Sequence, residues 1–431
     1  MKKLVVCLFA GIAVACQPEI RKPVSLPVFH PQSYVGYWFS DTEGTVLDSF
    51  QANRYFIPAS LTKLYFYPVL KQVSGDPSFS STTWNYDPAD STLRLAAPGN
   101  PLLGYNDLRN CILTSGPVKR VILYHLPYDS SRVWGAGWMA DDEPADYQPY
   151  FSAVPVNLNV QTVTVQCTRD SITILQEPWE LPYRIKPGSS LSVTRPPASD
   201  TLLVTIPPDS SGSVTRKLSI RNPSRYLYQW LRASSLQNVL SIVTVPQLPV
   251  FSNRIAHDPG ELTHLILNQS NNLAAEQILR YWSLKNGGNG SVAGYLKQNP
   301  VPAPDGRLVD GSGLSRYNML TPAALGKVLQ TFRNEPAFKT GLAIYGESGT
   351  LDDRFRLADT TAVIVAKSGS MNTVQNLAGL ILIDGQPAAE FVLMINFWMD
   401  SKESRYRLEK AVLDRWISLV RKNTDPTANN H

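Results

Sequence analysis

The sequence is poor in side chains that bind metals and in charged side chains generally. Its 431 residues include only 4 cysteines and 5 histidines. They form no Cys-x-x-Cys pair and no histidine spacing typical of a metal site, so we expect neither a metal nor another cofactor. Charged residues make up 17% of the chain and the formal net charge is +5, without a run of lysine or arginine. This composition argues against a nucleic-acid-binding protein.

Long apolar runs are also missing, because no stretch after the first 15 residues approaches the roughly 20 residues of a membrane-spanning helix. Proline outnumbers glycine, 33 to 26, which argues against a coiled coil or helical bundle. Apolar residues still reach 43% and aromatic residues 10%, enough for a folded core. At roughly 150 residues per domain, the length predicts about three domains, or two with a long insertion.

The N-terminus predicts export. Lys2 and Lys3 precede an apolar stretch, residues 4–15, that is too short to span a bilayer in the mature protein. It ends in Ala13-Val14-Ala15-Cys16, which resembles a bacterial lipobox. Residues 1–15 would then be a signal peptide, Cys16 would carry lipid and anchor the chain to a membrane, and residues 16–27 would form a tether. An ordinary secretory signal with a chance cysteine is the alternative.

Two cysteines, Cys111 and Cys167, remain in the mature part of the chain. They are far apart in sequence and free to pair in an oxidising compartment. Two buried free thiols are an equally good interpretation, so the sequence leaves their pairing open.

An early and a late segment of mixed α/β character enclose a long β-rich stretch. The early segment begins with a strand–turn–strand pattern at 29–50, and residues 76–235 alternate β-type runs with Pro, Gly and Ser turns. The late segment contains, in order, helical patterns at 258–284 and 322–333, apolar strand-like runs at 361–366, 377–383 and 389–397, and an amphipathic helix at 403–421. We predict one α/β (α+β) body, formed by 28–75 and 236–422, with 76–235 inserted and 423–431 as a polar tail.

The first candidate catalytic element is Ser60-Leu61-Thr62-Lys63, the only Ser-x-x-Lys in the chain. It lies near the start of a predicted helix over 58–73 that Pro68 should kink or end. Residues i and i+3 share a helix face, so a partly desolvated Lys63 can take the proton of the Ser60 hydroxyl. The N–H groups at the helix start can serve a developing oxyanion. A solvent-facing serine and lysine is the simpler alternative.

The second element is Ser270-Asn271-Asn272, which lies between two helical runs. Ser270 can pass a proton between a lysine and a leaving amine, and Asn272 can hold a substrate amide. Serine and asparagine also favour helix ends, so a plain capping cluster is the alternative.

The third element is Lys367-Ser368-Gly369-Ser370, directly after an apolar strand. Lys367 can pair with a substrate carboxylate, Ser368 adds a donor, Gly369 permits close approach, and the Ser370 N–H can serve the oxyanion. Lys339-Thr340-Gly341 has the same pattern but follows a predicted helix end. Because only the first triplet ends a strand on which a peptide could dock, we choose Lys367.

Three such elements in this order are typical of β-lactamases and penicillin-binding proteins. The chain resembles more closely the D-alanyl-D-alanine carboxypeptidase/endopeptidase family, the class C low-molecular-mass penicillin-binding proteins. Further matching segments lie at 99–103, 137–142, 152–159, 310–316 and 346–351. Asn100 stands where Asp is usual, Ala140 where a second Trp is common, and Ser368 where Thr is commoner.

The resemblance implies a penicillin-binding/β-lactamase-like domain, with a central antiparallel sheet flanked by helices and interrupted by the long insertion. It implies an exported, periplasmic serine enzyme that cleaves D-Ala-D-Ala peptides of peptidoglycan through an acyl-enzyme and is inhibited by β-lactams. The balance of carboxypeptidase and endopeptidase activity stays open, as does the oligomeric state. A β-lactamase or esterase on the same scaffold is one alternative function, and a non-catalytic peptidoglycan-binding lipoprotein is another.

The resemblance also implies a recognition segment above the active site. In the family this segment helps to bind the free amine of the peptide side chain. Trp138 and Asp141 lie in a matching Gly-rich polar stretch, where a ring could pack on a methylene stem and a carboxylate could pair with an ammonium group. Arg316 is a further candidate for the same pocket. A plain surface loop with a half-buried tryptophan is the alternative.

Overall fold

A computed structural model describes residues 29, 31–128, 134–208, 211–233, 239–288 and 306–424. The predicted signal peptide, Cys16 and the tether therefore lie outside the described residues, as does most of the polar tail. No helix within these ranges is both long enough and apolar enough to cross a membrane.

A six-stranded antiparallel sheet forms the centre of the molecule, as the resemblance implies. Its strands, in spatial order, are β16 (Ala343–Ile344), β17 (Ala362–Met371), β18 (Val374–Ile383), β19 (Gln386–Asn396), β1 (Tyr34–Asp41) and β2 (Val46–Phe50). The first strand of the chain thus pairs with the last, with Tyr34 opposite Asn396. This pairing closes the split body that the sequence predicts.

Helices cover both faces of this sheet. They are α1 (Thr62–Tyr65), α2 (Tyr67–Ser74), α5 (Pro259–Leu267), α6 (Asn272–Lys285), α7 (Pro322–Phe332), α8 (Pro336–Gly341) and α9 (Lys402–Thr424). Because side chains alternate along a strand, Ala378 and Leu380 pack in the core under the first six helices, while Leu377 and Ile381 pack in the core under α9. Both faces are covered, which is why residues 377–383 of β18 and 391–395 of β19 are apolar runs in the sequence.

Pro68 breaks the first predicted helix, as expected. A 3-10 turn (Ala59–Leu61) leads into α1, the backbone leaves helical geometry at Phe66, and α2 starts with Pro68 in its first turn. Proline is accepted in a first turn because its missing N–H has no intrahelical partner there.

The insertion has its own sheets and its own core. Its five-stranded sheet contains, in spatial order, β12 (Val239–Thr244), β5 (Arg120–His125), β4 (Thr92–Ala97), β3 (Ser81–Asp87) and β13 (Asn253–Ala256). Two three-stranded sheets follow, β8 (Tyr183–Pro187), β10 (Leu202–Ile206) and β9 (Ser192–Thr194), and β11 (Gly212–Ser219), β6 (Val160–Cys167) and β7 (Ile172–Glu177). Helices α3 (Tyr105–Thr114) and α4 (Pro223–Ala233) complete it.

The predicted boundary at 235/236 is wrong. Strand β12 pairs in parallel with β5, and β13 pairs with β3, so the five-stranded sheet of the insertion extends to Ala256. The chain returns to the central body only at α5. A short two-stranded sheet, β14 (Gly306–Arg307) with β15 (Met319–Leu320), precedes α7. Cys111 and Cys167 are buried and are not joined by a disulfide, which settles the pairing that the sequence left open.

Candidate active site

The Ser60 hydroxyl and the Lys63 amine are in direct contact. Ser60 lies in the 3-10 turn at the start of α1, and Lys63 Nζ is 2.9 Å from Ser60 Oγ. Ser60 is half-buried, whereas only 1% of Lys63 is exposed. The pair therefore faces inward, and the solvent-facing alternative is wrong.

Lys63 Nζ has two further partners, Asn272 Oδ1 at 2.6 Å and the Ser312 carbonyl oxygen at 2.5 Å. Burial disfavours the charged form and lowers the pKa of Lys63 to about 7, although the carboxylates of Asp310 and Glu276 oppose this shift. A lysine with a pKa near neutral has a substantial neutral fraction. Lys63 can therefore accept the hydroxyl proton of Ser60 at physiological pH.

Residues 270–272 join α5 to α6, and one of them caps a helix while the other two contact buried lysines. Asn271 caps α6 by accepting the N–H of Ala274. Ser270, with φ +62°, instead directs its hydroxyl to Lys367 Nζ at 2.8 Å. Asn272 bridges Lys63 and the carbonyl oxygen of Tyr147, to which its Nδ2 donates at 2.7 Å. The alternative of a plain capping cluster therefore applies to Asn271 but not to Ser270 or Asn272.

Strand β17 carries the third element, and one edge of the strand is open at these residues. Strand β16 pairs only with Val365 and Ala366, so the edge is not covered by a strand from Lys367 onward. The Ile364 carbonyl accepts the Tyr345 N–H across this edge. Because backbone groups alternate between the two edges, the N–H and C=O of Ser368 and Ser370 face it as well. An extended peptide can add to this edge as a further strand.

Lys367 is fully buried, and burial together with the charge of Lys63 holds its pKa well below the usual range. Its Nζ also donates to the Ser368 carbonyl at 3.0 Å, and Ser368 Oγ donates to Thr350 Oγ1 at 2.7 Å. Gly369 allows the strand to approach the nucleophile turn, since a Cβ there would lie 2.5 Å from the Pro58 carbonyl oxygen. By contrast, Lys339 lies on a helix, α8, so its triplet offers no strand edge.

A cavity of about 800 Å³ joins the three elements. Ser60, Ser270, Asn272, Ser368 and Ser370 line it, and so do Asp141 and Arg316 from the predicted recognition segment.

Trp138 is not among the lining residues. Its Nε1 donates to Asp310 at 2.9 Å and its ring packs edge-on against Phe151. The prediction that this ring lies against a ligand is therefore not supported, because the half-buried side chain contacts Asp310 and Phe151 instead.

Sequence reasoning gave no role to four residues of the site, although two of them, Asp310 and Thr350, lie in segments that match the family. Glu276 and Asp310 are buried carboxylates beside Lys63, Tyr147 supplies the carbonyl that Asn272 binds, and Thr350 binds Ser368. One signal for Glu276 was present, because it follows Asn272 by one helical turn and so shares its helix face. No cluster of His, Cys, Asp or Glu suited to a metal ion occurs among the residues that the structure describes.

The sequence model of the D-Ala-D-Ala carboxypeptidase 3 (S13) family matches residues 31–418. The chain belongs to this family. The match includes both the central body and the insertion, so the β-rich insertion is a part of the family's architecture rather than a foreign domain.

Three individual proteins illustrate the relationship. The chain is 26% identical over 399 residues to a D-alanyl-D-alanine carboxypeptidase of Actinomadura sp., covering 78% of this chain and 73% of the relative. It is 35% identical over 144 residues to penicillin-sensitive carboxypeptidase A of Dictyostelium discoideum, but that alignment spans only 28% of the relative's length and 30% of this chain. Penicillin-binding protein 4 from Haemophilus influenzae superimposes with a TM-score of 0.73 at 18% identity, covering 92% of this chain and 97% of that one. This last likeness establishes the fold.

Proposed function

We propose that the protein is a serine D-Ala-D-Ala carboxypeptidase, with endopeptidase activity on the same site, that acts on peptidoglycan peptides and is acylated by penicillin. The observation that carries this proposal is the contact of 2.9 Å between Ser60 Oγ and a buried Lys63 amine, at the wall of a cavity bounded by an open strand edge. Family membership and the name of the Actinomadura relative support the same activity.

In acylation, Ser60 Oγ attacks the carbonyl carbon of the D-Ala-D-Ala amide and Lys63 Nζ accepts its proton. The N–H groups of Ser60 and Ser370 bind the oxyanion, the second of them at the open edge of β17. The Ser270 hydroxyl, held by Lys367 at 2.8 Å, relays to the leaving amine the proton that Lys63 took from Ser60, which leaves Lys63 neutral again as the C–N bond breaks. Water then releases the acyl group from Ser60.

We assign the terminal carboxylate of a peptide on β17 to Lys367 and Ser368. A bound carboxylate would favour the charged form of Lys367, and an ammonium group beside a hydroxyl can bind it by charge-assisted hydrogen bonds. This contact selects peptides with a free C-terminus. An endopeptidase substrate must present a carboxylate from the cross-linking residue at the same position.

Asp141 and Arg316 line the same cavity as Ser60. We infer that Asp141 binds the free amine of the peptide side chain, as the recognition segment of the family does. An exposed carboxylate on a turn can pair with an ammonium group. Arg316 lies at the same wall and can bind a carboxylate beside that amine. Trp138 binds Asp310, in the segment of residues 310–316 that carries Arg316.

The sequence before residue 28 supports export, with a lipid anchor at Cys16 and a short tether. A single acyl chain binds a membrane only marginally, so stable anchoring requires several chains on this cysteine. The enzyme would then act in the periplasm, close to the membrane that holds it.

Labelling with a fluorescent penicillin tests the activity. Intact protein should form a stable covalent adduct, and Ser60→Ala should form none while keeping the melting temperature of the wild type. Ser49→Ala, a change at an exposed position on the edge strand β2, is the matched control and should label normally. Fast turnover of the penicillin would instead show a β-lactamase or esterase, and absence of any adduct would show a binding protein. An adduct on Ser60→Ala would refute the nucleophile.

A further inference from the structure

Two carboxylates behind Lys63 have no part in the mechanism above. Glu276 is 6% exposed and Asp310 is 3% exposed. A buried carboxylate is costly unless hydrogen bonds or an opposite charge compensate it. Their place beside the proposed base therefore calls for a specific role.

Glu276 supports the turn that binds the lysine. Its Oε1 accepts the N–H groups of Gly311 at 3.0 Å and Ser312 at 2.8 Å. The carbonyl oxygen of the same Ser312 accepts Lys63 Nζ at 2.5 Å. One carboxylate thus fixes the N–H of the same residue whose carbonyl oxygen holds the amine of the proposed base.

Asp310 has a different role, because its oxygens accept hydrogen bonds from the loop that follows it, residues 311–318. Oδ1 accepts the Gly313 N–H at 2.9 Å and the Asn318 amide at 2.6 Å. Oδ2 accepts the Ser315 N–H at 2.7 Å and Trp138 Nε1 at 2.9 Å. Replacing Asp310 would therefore disturb the loop, which makes Glu276 the better position at which to remove a charge alone.

The charges around this cluster come from four elements. Lys63 on α1 and Lys367 on β17 are buried amines, Asp310 lies on the loop, and Arg280 lies one turn after Glu276 on α6. Burial and Asp310 raise the pKa of Glu276 to about 7, although the hydrogen bonds to Ser312 and the charge of Arg280 oppose this shift, so Glu276 carries its charge above about neutral pH. Of these groups, Glu276 and Asp310 are the ones that favour a proton on Lys63.

We propose that Glu276 is a positioning residue for the base: it holds the Gly311–Ser312 turn against Lys63, and its negative charge stabilises the ammonium group formed when Lys63 takes the Ser60 proton. The inference rests on the proposed function and deepens it. In the step concerned, Ser60 Oγ bonds to the substrate carbonyl carbon, the electron pair of the carbonyl moves to its oxygen, and the hydroxyl proton passes to Lys63 Nζ. The site then holds a new buried cation, for which Glu276 is a counter-charge.

Glu276→Gln removes the negative charge but keeps the hydrogen bonds, since the amide oxygen can still accept the N–H groups of Gly311 and Ser312. Lys63 acts as a base only when neutral, so acylation is lost as the pH falls through its pKa. Removing the carboxylate removes an interaction that raises this pKa, and the acid limb should move to lower pH by about one unit. A less basic Lys63 is also a weaker proton acceptor, so the plateau should fall about tenfold.

The measurement is the second-order rate of acylation by a fluorescent penicillin as a function of pH. Glu276→Asp keeps the charge and should retain the midpoint of the wild type while its rate falls. Glu390→Gln removes a buried carboxylate on β19, where Glu390 binds Ser40 and Arg333, and should lower the melting temperature without moving the midpoint.

A plateau that falls with an unmoved midpoint in Glu276→Gln would show a merely structural role and overturn the inference. Wild-type protein that is not acylated at any pH would instead refute the proposed function. If Glu276→Gln does not fold, the 13Cε resonance of Lys63 in the wild type decides the matter. Two inflections, one from the carboxylate and one from the ammonium group, are expected, and a single inflection would overturn the inference.

Discussion

Gly313→Ala should inactivate the enzyme by moving the nucleophile. Gly313 has φ +87°, and a Cβ at this position would lie 1.9 Å from the Ala59 carbonyl oxygen and 3.0 Å from the Ser60 nitrogen. Both contacts are with backbone, which cannot rotate away as a side chain can. The loop and the turn that carries Ser60 must therefore separate.

The size of the effect follows from these distances. An ordinary contact between an aliphatic carbon and a carbonyl oxygen is about 3.3 Å, so relief from 1.9 Å requires a shift of about 1.4 Å. Misplacement of a catalytic group by about 1 Å can cost about 100-fold in rate, which corresponds to about 2.7 kcal/mol of activation free energy. The left-handed backbone adds about 1–2 kcal/mol of strain to the folded state for any residue with a Cβ.

Gly385→Ala is the matched control. Gly385 has φ +76° in the turn between β18 and β19, and a Cβ there would meet nothing within 4 Å. It should lose a similar amount of stability through backbone strain and none of the acylation rate. Penicillin acylation rates and melting temperatures of both variants are the assay. If folded Gly313→Ala acylates within about threefold of the wild type, the close approach of the loop does not position Ser60.

Three further changes test other parts of the site. Lys367→Ala should lower kcat/KM for a D-Ala-D-Ala peptide by about 2–3 kcal/mol in transition-state free energy, while Lys339→Ala should not change it, and equal effects would refute the choice of triplet. Cys16→Ser should release the exported protein from the membrane fraction, and retention there would place the anchor elsewhere. Asp141→Asn should cost about 1–2 kcal/mol in kcat/KM for peptides with a free side-chain amine and little for the N-acetylated peptides. Equal losses on both peptides would make Asp141 structural.

Local sequence patterns predicted the helices and strands of the central body well, because these elements depend mainly on the residues within them. Pro68 lacks an N–H and splits the first helix whatever surrounds it. The apolar runs of β17, β18 and β19 read as central strands because both of their faces are covered. The Lys367 triplet was separable from that of Lys339 by the same argument, since one follows an apolar strand and the other a helix.

Contacts between distant segments were not predictable from periodicity. Strand β12 belongs to the insertion only because it pairs with β5, more than a hundred residues earlier, and its sequence would suit either body. Trp138 looked like a loop tryptophan because its partner, Asp310, lies 172 positions away. Glu276 lies in a strongly helical run, where a glutamate is ordinarily a solvated residue. Only the fold shows that this face of α6 is buried.

The insertion also completes the catalytic centre rather than merely covering it. Asn272 accepts Lys63 Nζ with its Oδ1, and its Nδ2 donates to the carbonyl of Tyr147 in the segment that carries Asp141. That segment is in turn anchored by Glu143, which is buried and forms an ion pair with Arg195 at 3.1 Å. Leaving either member of a buried ion pair without its partner costs about 3–5 kcal/mol. A change at Arg195, deep in the insertion, therefore acts on the segment of residues 141–147, whose Tyr147 carbonyl holds Asn272. The long insertion and the short catalytic motifs thus form one functional unit.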